Sequence, residues 1–578
     1  MKRSSIVTIG SVLVSILIVG VTVAWFSFTC LSFSPVPWPD GSAFYLPSLS
    51  LLAWPPRWVM HSQAAFIPSY DIANFNMMPL LPALLGIGMH LGLGKLLGAT
   101  LAIKFISLLG LGIWAWMLGY WTWRLTQSIL LSFILGLVAL WDPICRWGTL
   151  VVRSEIWIGL LWLMILMELH AFQSEDHSVL RKDSRRFWLI SLWLALAAYF
   201  HFEAIILVPA TSIGLFKIQN NLQKELKNWI KRLFAVGLRT SLFLIPWGVY
   251  ILAHPSLFLE QMGSQFSRLS GINSWIANPY LFFHSLFLSI GNPEGLPKFF
   301  NLAKGFFWLM VILLSGHFLY FFVLMVNKKI RSENRNQIEL FLAAGVAFWT
   351  SLYLWCSKPE VWFITLCHLT LWPWLAIFFM MKLSRSSTFS GFSLGRFCVG
   401  AYAVLSLAAN ISIQFKMPAS YSWSAYSQWV DCIERVAGDQ SKKHPLRVWQ
   451  TSLPDVLVEL SFRHPSWDLT RFLDFSEFQE RAWDFLEKTD LIIMSRFGLV
   501  LSGLNGDLSI YEGPQRLEDP RYLLEDPLRS FVTEMILKRL PSEQPNQWIW
   551  RVCHVGPFFA DIAYRNSRSD SISYLRTN

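Results

Sequence analysis

Uninterrupted apolar stretches, parted by short charged islands, dominate the chain up to residue 413. About twenty such residues in a helix span the hydrocarbon of a bilayer. Stretches of roughly that kind lie at 6–28, 101–123, 126–141, 156–172, 187–200, 202–216, 234–253, 302–326, 338–355, 362–381 and 397–413. The pattern predicts an α-helical membrane protein with about eleven transmembrane helices. Lys2 and Arg3 precede the first stretch, which is longer than the apolar part of a cleaved signal peptide and lacks a clear small-residue cleavage site. It reads as an uncleaved span with its N-terminus in the cytoplasm.

Lys and Arg gather in alternate islands, with four in 173–186, five in 217–232, four in 327–337 and three in 382–396. The positive-inside rule assigns these islands to the cytoplasm. Two crossings within 187–216, turning at His201 to Glu203, keep the later islands on that side. An odd number of crossings then places the residues after 413 on the outer face of the plasma (inner) membrane. The net charge of +11 follows this loop pattern, not a face that tracks phosphates, so no nucleic-acid partner is expected. Only 15% of the residues are charged, against about 25% in soluble proteins, which excludes an ordinary soluble enzyme. The 30 Trp and 45 Phe suit lipid contact and interfacial belts.

From 414 to 578 the apolar runs stop, and a small C-terminal α/β domain on the outer face is expected. Its strand-like runs are Arg447 to Thr451, Asp490 to Ser495 and Asp507 to Tyr511, alternating with helix-like stretches at 475–488 and 528–540. The polar, Ser-rich tail from Asn566 reads as poorly ordered. Seven Cys without a C-x-x-C pair argue against a zinc or redox framework. An oxidising compartment allows one disulfide, Cys432 to Cys553.

Three outer segments have room for chemistry: 29–100, 142–155 and 254–300. The first carries semi-apolar stretches at 44–58 and 83–97, with Arg57 and Lys95 among them and His61 between, which read as interfacial helices roofing a cavity. Asp40 stands in Pro39-Asp40-Gly41. It is either a turn residue bonding its own backbone or a general base whose pKa rises by partial desolvation at the membrane surface. The second segment carries Asp142, Arg146, Arg153, Ser154 and Glu155. Arg153 with Glu155 is either an ion pair at a helix start or a guanidinium fork for phosphate. His201 with Glu203, and Lys358 with Glu360, occupy further outer turns, for which a solvated role and a functional one both stand. No nucleotide-binding loop and no metal-ligand motif occurs.

Taken together, these residues resemble the GT-C type of integral-membrane glycosyltransferase. The likeness is strongest to the branch of protein O-mannosyltransferases and lipid A aminoarabinose transferases. It rests on an Asp-containing loop after the first span (Asp40, Phe44, Tyr45), Met78-Pro79-Leu80 before an interfacial stretch, Arg153-Ser154-Glu155 opening a span, and Lys358 before an aromatic-Pro span with Trp372-Pro373-Trp374. Members commonly carry Asp-Glu where this chain has Asp40-Gly41. The resemblance implies an enzyme that moves a sugar, hexosyl or pentosyl, from a polyprenyl-phosphate donor to an acceptor hydroxyl on a lipid, glycan or protein, with inversion. By this likeness Asp40 is the catalytic base, and Arg153 and Lys358 contact the donor phosphate. Tyr45, Glu155, His201 and Glu203 support the site. No metal ligand is assigned, and a divalent cation stays open as a cofactor. Competing readings are a polymerase or ligase of lipid-linked glycans, a transporter or flippase, and a non-catalytic scaffold. Polymerases tend to have one large mid-chain outer loop, and transporters show internal repeats and mid-bilayer charges.

Overall fold

The computed structural model describes residues 2–31, 39–58, 73–75, 78–174, 180–217, 222–267, 298–326, 335–357, 363–383, 390–416, 423–441, 445–450, 455–471, 489–496, 548–556 and 558–565. In chain order the helices are α1 Lys2–Leu31, α2 Pro39–Leu51, α3 Leu80–His90, α4 Leu93–Leu97, α5 Ala99–Thr126, α6 Ile129–Trp141, α7 Pro143–Leu150, α8 Glu155–Ser174 and α9 Leu180–Phe200. A 3-10 turn, Phe202–Ile206, leads into α10 Leu207–Gly214, α11 Leu222–Phe243, α12 Ile245–Ala253 and α13 Pro255–Ser267. Then follow α14 Lys298–Val326, α15 Arg335–Ser357, α16 Phe363–Leu383, α17 Ser390–Lys416 and α18 Trp423–Ser441. Strands β1 Arg447–Gln450, β2 Asp468–Arg471, β3 Leu491–Arg496, β4 Trp548–Val555 and β5 Phe558–Arg565 surround α19 Leu457–Arg463 in sequence. The chain divides into two compact units. Unit 1 holds residues 1–27, 75–81 and 107–413, and unit 2 holds 28–74, 82–106 and 414–578.

The expected membrane architecture is present. Among the described residues, six helices are long and apolar enough to cross a bilayer, within α1, α5, α8, α14, α15 and α17. Two more pairs, α6 with α7 and α11 with α12, pass together but bend by 47° and 59°. Of the remaining apolar stretches, Phe202–Gly214 and Thr365–Met381 form shorter apolar helices, and 187–200 lies within α9. Length and composition thus support six to eight spans.

Unit 1 is packed through glycine. Without a hydrophobic drive between helices in lipid, close backbone approach supplies the attraction. A methyl group on Gly136 of α6 would lie 3.1 Å from the Ala115 carbonyl of α5 and 2.5 Å from Ile18 Cδ1 of α1, so these three helices meet at this point. Gly159 of α8 similarly admits Leu369 of α16, and Gly345 of α15 admits Phe318 and Trp374. Local signals set the helix ends. Gln127 adopts a positive φ of 55° after α5, and Ser128 then caps α6 by accepting the Leu131 N–H. Asp142 starts α7 by accepting the N–H groups of Ile144 and Cys145 at 2.9 and 3.2 Å, with Pro143 at the first helical position, where no N–H is needed.

Unit 2 carries a five-stranded mixed sheet in the order β2-β1-β3-β5-β4. The β2, β1 and β3 strands are parallel, and β5 runs antiparallel to both β3 and β4. Strands expected near 447 and 490 appear as β1 and β3. The expected strand at 507–511 and the helices at 475–488 and 528–540 lie outside the described residues, as does the tail from Asn566. The core joins Tyr426, Trp429 and Ile433 of α18, Leu457 and Leu460 of α19, and Val448, Ile493, Phe558 and Ile562 of the sheet. Leu46 of α2 belongs to the same core. Arg447 at the head of β1 makes a bidentate pair with Asp490 at the head of β3, both bonds at 2.9 Å.

Cys432 of α18 and Cys553 of β4 form the disulfide, with Cα atoms 5.8 Å apart and 121 residues between them in sequence. Closing a loop of this length removes much of the freedom of the unfolded chain. Replacing Cys553 by Ser is expected to destabilise unit 2 by about 2–5 kcal/mol, read as a lower melting temperature of the full chain. Reducing the wild type should produce the same loss, and reducing the variant should add nothing.

Candidate functional site

In unit 2, Asp40 is the second residue of α2, directly after Pro39. The Pro-Asp-Gly segment is therefore a helix start, for which Pro is preorganised. Further along α2, Ser42 Oγ donates to Asp455 Oδ2 at 2.5 Å. Asp455 Oδ1 accepts the Leu457 N–H at 2.8 Å and so caps α19. Glu459, on α19, accepts from the Thr100 N–H at 3.1 Å and the Thr100 hydroxyl at 3.4 Å at the start of α5. One carboxylate just before α19 and one within it thus hold α2 and the head of α5. Tyr45 is buried in α2. Burial first, and the negative charge of Glu459 second, push its phenol up to about 12. Tyr45 is accordingly a neutral hydroxyl at physiological pH, available as a hydrogen-bond donor but not as a base.

In unit 1 the chain between α7 and α8 turns sharply. Val152 has a φ of +65°, a conformation that costs about 1–2 kcal/mol for a residue with a Cβ, and the turn is closed by the Val152 N–H on the Thr149 carbonyl and the Arg153 N–H on the Gly148 carbonyl. It delivers Arg153 to Glu155 in the first turn of α8. Arg153 Nη2 lies 2.8 Å from Glu155 Oε1, and Nε is 3.2 Å from both carboxylate oxygens. Both residues are buried. Of the two readings of this motif, the ion pair is present.

His201 caps the 3-10 turn. Its Nδ1 accepts the Glu203 N–H at 3.3 Å and lies 3.5 Å from the Glu203 carboxylate. The two pairs are neighbours through their helices, since Phe200 at the end of α9 stacks on Trp157 of α8 with centroids 5.4 Å apart. Lys358 lies outside the described residues. Among the described residues no group of three or more His, Cys, Asp or Glu side chains gathers as metal ligands, and no step below is routed through a metal.

A further constellation was not read from the sequence. Asp142 uses one oxygen to cap α7 and the other to accept from His368 Nδ1 of α16 at 2.5 Å. Phe307 of α14 stacks on the His368 ring, centroids 4.2 Å apart, and the Tyr402 hydroxyl of α17 lies 3.5 Å from His368 Nδ1. All four residues are buried, and His368 Nε2 has no partner among the described residues. One turn after Asp142, Arg146 of α7 makes a 3.5 Å contact with Asn410 of α17. An ionisable side chain inside an apolar run was the available signal for His368.

Asp142 therefore serves both a helix end and an imidazole. Its replacement by Ala is expected to destabilise the protein by about 2–4 kcal/mol, the sum of a lost cap and a lost charge-assisted hydrogen bond. Thermal unfolding in detergent measures this. Asn at 142 should retain most of the cap, and a loss from Asn equal to that from Ala would contradict the capping role.

No protein-family model matches this sequence, and no curated protein matches it. Solved structures do match in fold. The crystal structure of ArnT from Cupriavidus metallidurans bound to undecaprenyl phosphate superposes with a TM-score of 0.52 at 12% identity, covering 96% of this chain and 98% of that one. The same protein in the apo state gives 0.49 at 12% identity, over 95% and 97%. Across nearly its whole length, this chain has the fold of ArnT.

Proposed function

We propose that this protein transfers a sugar from a polyprenyl-phosphate donor to an acceptor hydroxyl at the outer face of the plasma (inner) membrane, with inversion. The fold likeness to a protein crystallised with undecaprenyl phosphate carries the reading. The position of Asp40 at the start of α2, a helix tied to α19 through Ser42 and Asp455, adds to it. The acceptor oxygen bonds to the anomeric carbon as the bond from that carbon to the phosphate oxygen breaks. The acceptor proton passes to the Asp40 carboxylate, and the phosphate leaves with the bonding electron pair. The leaving phosphate needs cations more than a proton, and Arg153 and Lys358 supply them. Glu155 orients Arg153, Tyr45 offers a neutral donor beside α2, and His201 with Glu203 supports the same end of the helices. The acceptor is a lipid, glycan or protein hydroxyl.

The full topology in this reading has eleven crossings, with the α6–α7 and α11–α12 pairs each counted as one, and α9, Phe202–Gly214 and Thr365–Met381 completing the number. The N-terminus is cytoplasmic and the sheet of unit 2 is extracytoplasmic. The Cys432–Cys553 disulfide supports that side, because disulfides persist in oxidising compartments. Reporter fusions after Leu180, Glu333 and Gln440 are expected to place only the last outside; an exterior signal at Glu333 overturns the topology.

Transfer from labelled polyprenyl-phosphate sugars in proteoliposomes tests the reaction. Asp40→Asn is expected to lower the turnover about 10²–10⁴-fold, the usual contribution of a positioned base, with donor binding kept. Full activity in this variant removes Asp40 as the base. Translocation of the lipid without formation of a new glycosidic bond favours the flippase reading instead.

A further inference from the structure

Two arginines flank the strained turn between α7 and α8, and their guanidinium edges are in opposite states. Arg153 presents Nε and Nη2, the two parallel N–H groups on one edge of the fork, to Glu155. On Arg146 the same edge is unpartnered, for Nε and Nη2 are both buried and neither has a hydrogen-bond partner among the described residues. Its Nη1 has one long contact with Asn410 Oδ1 at 3.5 Å, and the guanidinium carbon sits 5.9 Å from the ring centroid of Trp25.

Arg146 is only 4% exposed, and among the described residues no carboxylate pairs with it. The nearest candidate in sequence, Asp142 one turn earlier, has its oxygens engaged by the Ile144 and Cys145 N–H groups and by His368. A guanidinium keeps its proton inside a protein, so the charge remains at this position. Burying such a charge without a counter-charge is strongly destabilising. Had the residue served only to tie α7 to Asn410, a neutral amide would do so without the burden of the charge.

We infer that Arg146 is an oxyanion-binding residue, whose unpartnered Nε and Nη2 edge takes two oxygens of one phosphoryl group through parallel N–H···O bonds. The guanidinium fork matches that geometry, whereas an ammonium does not. The surroundings, Trp25 of α1 and the faces of α7 and α17, suit a phosphate that arrives on an apolar carrier. That the carrier is a polyprenyl chain rests on the sugar-transfer reading; the oxyanion site itself does not.

The full chain, purified in a maltoside detergent that contains no phosphate, allows the test by thermal unfolding. Three probes are compared: undecaprenyl phosphate, undecaprenol and inorganic phosphate. Undecaprenyl phosphate is expected to raise the melting temperature of the wild type more than undecaprenol does. In Arg146→Met this excess should vanish, with apparent affinity for the phosphate lipid weakened at least tenfold, and Arg146→Lys should fall between the two. Without any probe, Arg146→Met should melt at or above the wild type, because an uncompensated charge has been removed. Protection of the wild type, but not of Arg146→Met, by inorganic phosphate supports the fork and identifies the free ion as sufficient. Equal probe-dependent shifts in the wild type and Arg146→Met overturn the inference, as does a probe-free loss of stability in both the Met and Lys variants, which marks the guanidinium as structural. Binding is read without turnover, so failure of the Asp40 assignment leaves this measurement intact.

Discussion

Burying a charge in an apolar helix bundle is costly unless a neighbouring group answers it, and in unit 1 several buried charges sit where helices break. Asp142 lies between α6 and α7, Arg153 and Glu155 between α7 and α8, and His201 and Glu203 between α9 and the 3-10 turn. Each break leaves backbone N–H and C=O groups without helical partners, and in lipid no water is at hand to satisfy them. Polar side chains placed there serve twice. Asp142 answers two N–H groups of α7 and an imidazole of α16, and the His201 ring accepts the Glu203 N–H while lying beside its carboxylate. The residues that end helices are therefore also the residues that offer chemistry.

The same rule operates in unit 2 over a much longer sequence interval. Ser42 and Asp455 are 413 residues apart and both buried, so neither is stable there without the other. The pair fixes α2, and with it the position of Asp40, to a helix of the C-terminal region. Glu459 is held in turn by Arg463 at 3.2 Å, whose guanidinium also reaches Asp431 and Glu434. Burial alone would lower the pKa of Arg463, but the hydrogen bonds it donates to Asp431 and Glu434 outweigh that effect and the value rises. Arg463 therefore stays charged, and the carboxylate network around α19 keeps its counter-ion across the physiological range.

Sequence reading reached the membrane class, most helix positions and the disulfide, because each depends on local composition or on a single pair. It overstated regularity at 234–253, since hydropathy does not register that the helix breaks ahead of Ile245-Pro246, where both flanks are equally apolar. Strands β2, β4 and β5 were not read, as short strands of mixed polarity carry little periodicity. Within the site, Arg153 with Glu155 and His201 with Glu203 were legible because the partners are two residues apart. The Asp142–His368 pair spans 226 residues, and nothing along an apolar run tells which face His368 occupies. The tie between Ser42 and Asp455 was illegible for the same reason, although both residues are ordinary polar types.

The contrast between Arg153 and Arg146 bears on how a phosphate would be stabilised. A guanidinium already matched to a carboxylate has part of its nearby field cancelled, so an arriving anion gains less from Arg153 than from an unmatched cation, though Arg153 still offers it charge and orientation. An unmatched one in a medium of low dielectric interacts strongly with any charge that enters, and the desolvation of the cation has already been met on folding. Two arginines seven residues apart on either side of one turn are thus unequal partners for the same group. Glu155 makes Arg153 a fixed element of the α8 terminus, whereas Nε and Nη2 of Arg146 have no partner among the described residues and are left to a group from outside the chain.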